Sequence, residues 1–289
     1  MDVARTLPRT AEKLAEKARK GQLSVDDLKS KVPWLCLQII RDANTAGLFD
    51  LWTESSNLDE LAGVSIVESG VLHAIGELAH VPLSGSVVHA GLQHTYGYLL
   101  STIKTRFGYK RDRWVSPMLE AGFGLPSDTL GPIPLDGTLL SNATLFAGKI
   151  AFRGDETSLR RIRKIAPVAA DSLRRFETRR LQQQRIIESV SLRDSAGRFR
   201  SVQIQTDLVP FPNKVEGCVE NTLLVYSISD SSRKGTRLTT LFPIAPAFLA
   251  ELQHPDRFGT RVEIRARFNA FVPGLAGKAV IGRRTITSF

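Results

Sequence analysis

"SVQIQTDL" (residues 201–208) is the segment of this 289-residue chain that indicates its fold most clearly. Its residues alternate between two sets, with Val202, Ile204, Thr206 and Leu208 set against Gln203, Gln205 and Asp207. A period of two predicts a β-strand that buries one face. Strands of a parallel sheet are buried on both faces, so a strand with one polar face favours an antiparallel sheet.

Turn signals on either side of this stretch predict hairpins. DSAG (194–197) separates SVSLR from the strand, and SDSSRKG (229–235) separates NTLLVYSI from TRLTTLF. A third hairpin pairs EIRARFNAF with AVIGRRTITSF through VPGLAGK (272–278), and FLAELQ (248–253) is a short helix placed among the strands. The C-terminal part of the chain is therefore predicted to be an antiparallel sheet of hairpins.

The first hundred residues have helical periodicity instead. Caps and breakers predict helices over 11–20, 66–80 and 87–103, the last two forming a helix–turn–helix pair. Residues 138–154 are expected to form one or two strands, and Ser158 to Ile187 a basic helix kinked at Pro167. The predicted fold class is α+β: a helical N-terminal half, then a kinked basic helix, then the sheet.

Two regions are expected to form one integrated domain. Residues 1–115 are mainly helical and carry the histidine cluster, and residues 116–289 hold a Pro/Gly loop, the basic helix and the sheet. No apolar run approaches the roughly 18 residues of a membrane span, and the N-terminus lacks the apolar core of a secretory signal. With only Cys36 and Cys218, we expect a cytoplasmic protein that makes no membrane contact.

Net charge is the one unusual total. The chain carries +10, and between 156 and 200 there are twelve Arg or Lys against five Asp or Glu. This local surplus suggests nucleic-acid binding through the predicted helix 158–187, although no known nucleic-acid-binding module accompanies it. A solvated face, or a face that contacts a second subunit of a homo-oligomer such as a dimer, is the other interpretation.

Four of the five histidines fall within residues 73–94. His73, Glu77 and His80 share a predicted helix face, and together with His89 or His94 could hold a single divalent metal. The sequence lacks the His-Asp, His-Glu-x-x-His and doubled Glu-x-x-His patterns of known metal sites. We therefore favour a site without a metal or other cofactor, and the absence of a Gly-rich phosphate loop argues against a nucleotide.

The second histidine helix suggests acid–base chemistry. It combines histidine, glutamine and tyrosine with Gly91 and Gly97, and glycine in a helix indicates a close approach by a neighbouring helix or a ligand. The expected catalytic residues are His89, His94, Glu77, Tyr96 and Tyr98. The expected substrate-binding residues, including an arginine clamp for an anion, are His73, His80, Gln93, Arg106, Lys110, Arg113 and Trp114.

The function expected from these residues is that of a small-molecule enzyme. It would act on an anionic or aromatic substrate as a lyase, isomerase, cyclase or hydrolase of a biosynthetic pathway. The alternatives are a nucleic-acid-binding protein that acts through the basic helix, and a non-catalytic interaction subunit.

Overall fold

A computed structural model gives the architecture of the chain. It describes residues 3–59, 63–83, 87–105, 108–167, 173–174, 176–193, 197, 199–231, 235–253, 261–265 and 279–289. The fold is α+β, with helices mostly in the N-terminal half and an antiparallel sheet at the C-terminal end. No helix within these ranges is long and apolar enough to cross a bilayer.

The helices lie mainly before residue 166. Their bounds are α1 Val3–Arg19, α2 Val25–Lys31, α3 Pro33–Ala43, α4 Ser69–Leu78, α5 Ala90–Leu92, α6 Asp112–Val115, α7 Met118–Phe123, α8 Leu139–Ala151, α9 Glu156–Ile165 and α10 Pro246–Gln253. Short 3-10 helices span Phe49–Leu51 and Thr178–Arg180. Ser24 and Asp27 form the capping box of α2 that their spacing predicts.

The strands form one large sheet and two short ribbons. The ribbons pair β1 Glu54–Ser56 with β2 Val87–His89, and β3 Lys104–Thr105 with β4 Gly108–Tyr109. The large sheet contains β5 Gln184–Arg193, β6 Phe199–Pro210, β7 Thr222–Asp230, β8 Thr236–Ile244, β9 Arg261–Arg265 and β10 Ala279–Ser288. Its order is β8-β7-β6-β5-β10-β9 with every neighbouring pair antiparallel, so all three predicted hairpin pairings are confirmed.

The sheet separates two apolar clusters. Val202, Ile204 and Leu208 face one cluster together with Phe248 of α10, as the period of two predicts. The opposite face meets the helices of the N-terminal half, through residues such as Val225 of β7. Burial of apolar area on both faces is the main source of stability for such a layered fold.

The strands predicted over 138–154 are wrong. Helix α8 occupies Leu139–Ala151 of this region, because Thr138 and Ser141 make a capping box and nearly every following side chain is buried. An apolar run that is buried on all sides has no period that would separate a helix from a strand.

The predicted basic helix over 158–187 is also shorter than expected. Helix α9 ends at Ile165, and residues 184–187 belong to strand β5. Arg185 therefore does not join the basic exterior: its Nε donates at 2.7 Å to the fully buried carboxylate of Asp207. Gln183 and Gln205 donate to the same carboxylate at 2.7 and 2.6 Å, so the position that alternation assigns to a polar face is an internal ion pair.

Candidate functional site

The helix that carries His94 is irregular. A single helix is predicted over 87–103, but residues 87–89 form strand β2, and Gln93–Gly97 is a π-helix that follows α5. All five residues of the π-helix are buried. Single-turn π-helices are rare and frequently lie at functional sites, because the wider turn redirects side chains.

A second irregularity lies opposite the π-helix, in edge strand β8. The register runs from Tyr226↔Thr240 to Ser227↔Leu238, which leaves Thr239 as the extra residue of a β-bulge. The outer edge is covered here, because Thr53 N donates to Leu238 O at 2.8 Å. Bulges are common beside active sites, where they redirect a backbone group or a side chain.

His94 lies in the π-helix and contacts the bulge of strand β8. Its Nδ1–H donates at 2.6 Å to Thr239 O, and its Nε2 lies 3.3 Å from Ser55 Oγ. Burial and the charge of Arg113 lower the pKa of His94 well below its usual value. The ring is therefore neutral near pH 7 with its acceptor nitrogen directed at Ser55, which is the protonation state that a general base requires.

Gln93 and Asn57 hold Ser55 in place. The Ser55 hydroxyl contacts Gln93 Oε1, while Gln93 Nε2 donates to Asn57 Oδ1 at 3.2 Å and to Ser56 O at 3.3 Å. These bonds fix which end of the Gln93 amide faces Ser55. Gln93 is predicted from sequence as a substrate-binding residue, but it is fully buried and its amide is used by its neighbours.

Arg113 lies on the other side of the same region. Its Nη1 donates at 3.1 Å to Thr240 Oγ1, and its Cζ lies 5.1 Å from the ring centroid of Tyr98 and 5.2 Å from that of Phe242. Among the described residues no carboxylate lies within 4.0 Å of this guanidinium. Burial lowers the pKa of Arg113 to about 10. A desolvated arginine without an acidic partner is costly, and a bound anion would remove that cost.

The Tyr98 ring lies next to both the guanidinium of Arg113 and the imidazole of His94. The rings of His94 and Tyr98 are 4.9 Å apart, and Lys110 Nζ lies 6.0 Å from the Tyr98 ring centroid. Burial and the charge of Arg113 lower the pKa of Lys110 to about 8, and the charge of Asp59 opposes them. Trp114 fixes the backbone by donating from Nε1 to His94 O at 2.7 Å. We call His94, Ser55, Gln93, Tyr98, Arg113, Thr239 and Thr240 the His94 cluster.

Two buried hydroxyls lie at the bulge. Thr239 Oγ1 and Ser227 Oγ are fully buried and have no hydrogen-bond partner in the described part of the chain. Native proteins leave few buried polar atoms unpaired, so a pair at one bulge is unusual. Sequence patterns give no hint of Ser55, Thr239 or Thr240, because these residues reach His94 only through contacts distant in the chain.

His89 does not belong to this cluster. It caps α5, where Nδ1 accepts from Leu92 N at 3.2 Å, and its Nε2–H donates to Phe49 O at 3.0 Å. Burial lowers the pKa of His89 to about 4. Both ring nitrogens are thus used by the backbone, which gives His89 a structural role where the sequence suggests a catalytic one.

Tyr96 belongs to a third group. Its hydroxyl donates to Asp42 Oδ2, and Thr138 Oγ1 donates to Asp42 Oδ1 at 2.6 Å. Burial raises the pKa of Asp42 to about 6. His89, Gln93 and Tyr96 therefore do not share a helix face, because β2 and the π-helix replace the single regular helix predicted over 87–103.

The residues of the first predicted histidine helix also lie elsewhere. His73 and Glu77 are exposed on α4, and His80 is exposed beyond the helix end at φ +55°. They do not meet the buried His94, so neither the metal site considered for them nor a catalytic role of Glu77 beside His94 is supported. No group of three or more His, Cys, Asp or Glu suited to a metal ion occurs in the described ranges. Arg106, the other predicted clamp residue, lies outside the described residues.

Close packing of neighbouring side chains explains the glycines at positions 91 and 97. A Cβ on Gly91 would lie 2.8 Å from Trp52 Cγ, and one on Gly97 would lie 3.0 Å from Leu72 Cδ2. Packing thus supplies the close approach that glycine indicates at these two positions. Comparison of the chain with protein families, curated proteins and solved structures finds no match.

Proposed function

We propose that the protein is an enzyme that binds a small anionic molecule at the His94 cluster and transfers a proton through His94. The observation that carries the proposal is the pairing of a neutral imidazole, whose tautomer is fixed by Thr239 O, with a partly buried arginine that has no carboxylate partner among the described residues. Acid–base catalysis needs the first feature, and binding of an anion needs the second.

Arg113 and His94 would have different roles because they differ in exposure. Arg113 is partly exposed and would take the anionic group, with the charge of Lys110 adding to the positive potential. His94 and Ser55 are 1 % and 0 % exposed, so the substrate must open a path past Tyr98 before proton transfer. Proton transfer of this kind serves lyases, isomerases, cyclases and hydrolases alike.

Ligand-dependent melting of the purified chain tests the proposal. We would measure the melting temperature with benzoate, citrate, phenyl phosphate and inorganic phosphate, for the wild type, Arg113→Gln and Arg9→Gln. Arg9 is an exposed arginine on α1 and serves as the matched control. A ligand at 100 times its Kd stabilises the folded state by about 2.7 kcal/mol, or roughly 5–10 °C in a chain of this size.

We expect at least one anion to raise the melting temperature of the wild type and of Arg9→Gln but not of Arg113→Gln. Turnover of that anion, followed by NMR, should be lost in His94→Asn although the anion still binds. If no anion binds, or if Arg113→Gln responds like the wild type, the site assignment is wrong and the interaction-subunit alternative is favoured.

A second candidate function is the binding of a polyanion at a different surface. Seven of the described arginines and lysines between residues 160 and 180 are exposed, within the segment that carries most of the net charge. Such a surface attracts negatively charged polymers whatever the His94 cluster does.

A further inference from the structure

The exposed cations that the structure describes between residues 160 and 180 lie on α9 and on the segment that follows it. We call them the basic surface, and they are Arg160, Arg161, Arg163, Lys164, Arg174, Arg179 and Arg180. Helix α9 carries the first four, and Lys149 of α8 connects them to the rest by donating to Leu173 O at 2.6 Å and to Phe176 O at 2.9 Å. Helix α9 packs against the same helix, because a Cβ on Gly148 of α8 would overlap Ile162 Cδ1 of α9, so α9 and residues 173–176 both contact α8.

Few acids neutralise this surface. Glu156 lies 4.0 Å from Arg163, and Glu177 lies 3.0 Å from Arg179 and 3.5 Å from Arg180. Asp155 is the other exposed acid in the described part of 155–180, where it caps α9. Among the described residues of 155–180, seven exposed cations thus stand against three exposed acids.

The apolar side chains that accompany the basic surface are already buried within the protein. Leu159 and Ile162 of α9 are buried, as are Leu173 and Phe176. No large apolar side chain is exposed among the described residues of 155–180. Helices that bind a bilayer insert an apolar face, and protein interfaces centre on buried apolar or aromatic anchors, so neither kind of partner fits well.

The type and spacing of the cations fit phosphates. Six of the seven are arginines, whose planar fork pairs with phosphate oxygens through two hydrogen bonds. Arg160 and Lys164 are one helical turn apart, about 6 Å along the axis, so they can contact neighbouring phosphates of one backbone. We infer that the basic surface binds the phosphate backbone of nucleic acids without reading their sequence. This inference rests on the second candidate function.

Fluorescence anisotropy of the full chain tests the inference. The probes are a labelled 25-base-pair DNA duplex, a labelled 25-nucleotide RNA, polyglutamate and phosphatidylserine vesicles. The test variant is Arg160→Gln/Arg161→Gln/Lys164→Gln. The control is Arg9→Gln/Lys13→Gln/Lys31→Gln, which removes the same charge from exposed positions on α1 and α2.

We expect the nucleic acids to bind with an affinity that falls steeply with salt. The plot of log affinity against log salt should lose about two to three units of slope in the test variant and less than one in the control. Equal effects of the two variants would overturn the assignment to this surface. Tighter binding of polyglutamate or vesicles would overturn nucleic acid as the partner but keep the polyanion function, and binding of no probe would remove both.

Discussion

The imidazole of His94 donates a 2.6 Å hydrogen bond to the carbonyl oxygen of Thr239, the extra residue of the bulge in strand β8. A bulge removes its carbonyl from the regular ladder, and a buried carbonyl without a donor is costly. The histidine thus satisfies the edge strand and at the same time leaves Nε2 as its acceptor. One contact sets both the packing of the π-helix against the sheet and the chemistry available at position 94.

Replacement of His94 separates these two roles. His94→Ala removes the donor and leaves a cavity, so we expect the free energy of unfolding to fall by about 3 kcal/mol. His94→Asn places an amide donor near the position of Nδ1 and should cost only about 1 kcal/mol. Urea unfolding followed by circular dichroism measures both, and equal losses would mean that the bond to Thr239 O contributes little.

The stability of the protein should depend on pH through His89. Burial lowers the pKa of His89 from 6.5 to about 4, so between these values the unfolded chain binds a proton that the folded protein does not. The neutral ring therefore contributes stability above pH 6.5, and the contribution is lost as the pH falls toward 4.

His89→Asn keeps a good N-cap side chain and removes the titration. Between pH 7 and pH 5 we expect the free energy of unfolding of the wild type to fall by about 2 kcal/mol more than that of His89→Asn. Asp42, whose raised pKa acts in the opposite direction, is present in both proteins and cancels in the comparison. Parallel pH profiles would contradict burial of a neutral His89.

Gly91 and Gly97 should tolerate alanine differently. A methyl group on Gly91 would meet the indole of Trp52, which is held by its 2.8 Å bond to Thr144, so we expect a loss of about 2–3 kcal/mol. At Gly97 the neighbour is a Leu72 methyl group that can rotate away, and alanine's helix preference offsets the crowding. Thermal unfolding should show Gly97→Ala within about 1 kcal/mol of the wild type; a similar loss for both would contradict this account.

Replacement of Arg185 and of Arg180 compares an arginine of the core with an arginine of the surface. Arg185→Gln leaves the buried carboxylate of Asp207 without its cationic partner and removes the donors to Ile150 O and Ala151 O. We therefore expect the free energy of unfolding to fall by about 3–5 kcal/mol. Arg180→Gln, at an 81 % exposed side chain, should change stability by less than 0.5 kcal/mol. Urea midpoints measure both, and a small effect at Arg185 would contradict its burial in an ion pair.

Strand β6 illustrates why the sheet is predictable from sequence. Val202, Ile204 and Leu208 must alternate because one face of the strand meets α10, and the turn residues that follow each strand are equally local. Helix α8 illustrates the opposite case. Its residues are buried on all sides, so no alternation remains from which to tell a helix from a strand.

The His94 cluster is only partly predictable. The clustering of polar residues on the predicted helix 87–103 identifies His94 and Tyr98, and the basic segment that follows it identifies Arg113, but the same clustering also selects His89 and Tyr96. Ser55, Thr239 and Thr240 come from strands far away in the chain, and no short-range pattern marks them.

The sequence by itself determines the α+β class, the three hairpin pairings and the local excess of positive charge, because each depends on neighbours within about a dozen residues. Tertiary structure alone decides which histidine is a cap, which is exposed and which faces Ser55. Those outcomes depend on a π-helix opposite a bulge, and both irregularities arise where distant segments must satisfy each other's backbone groups.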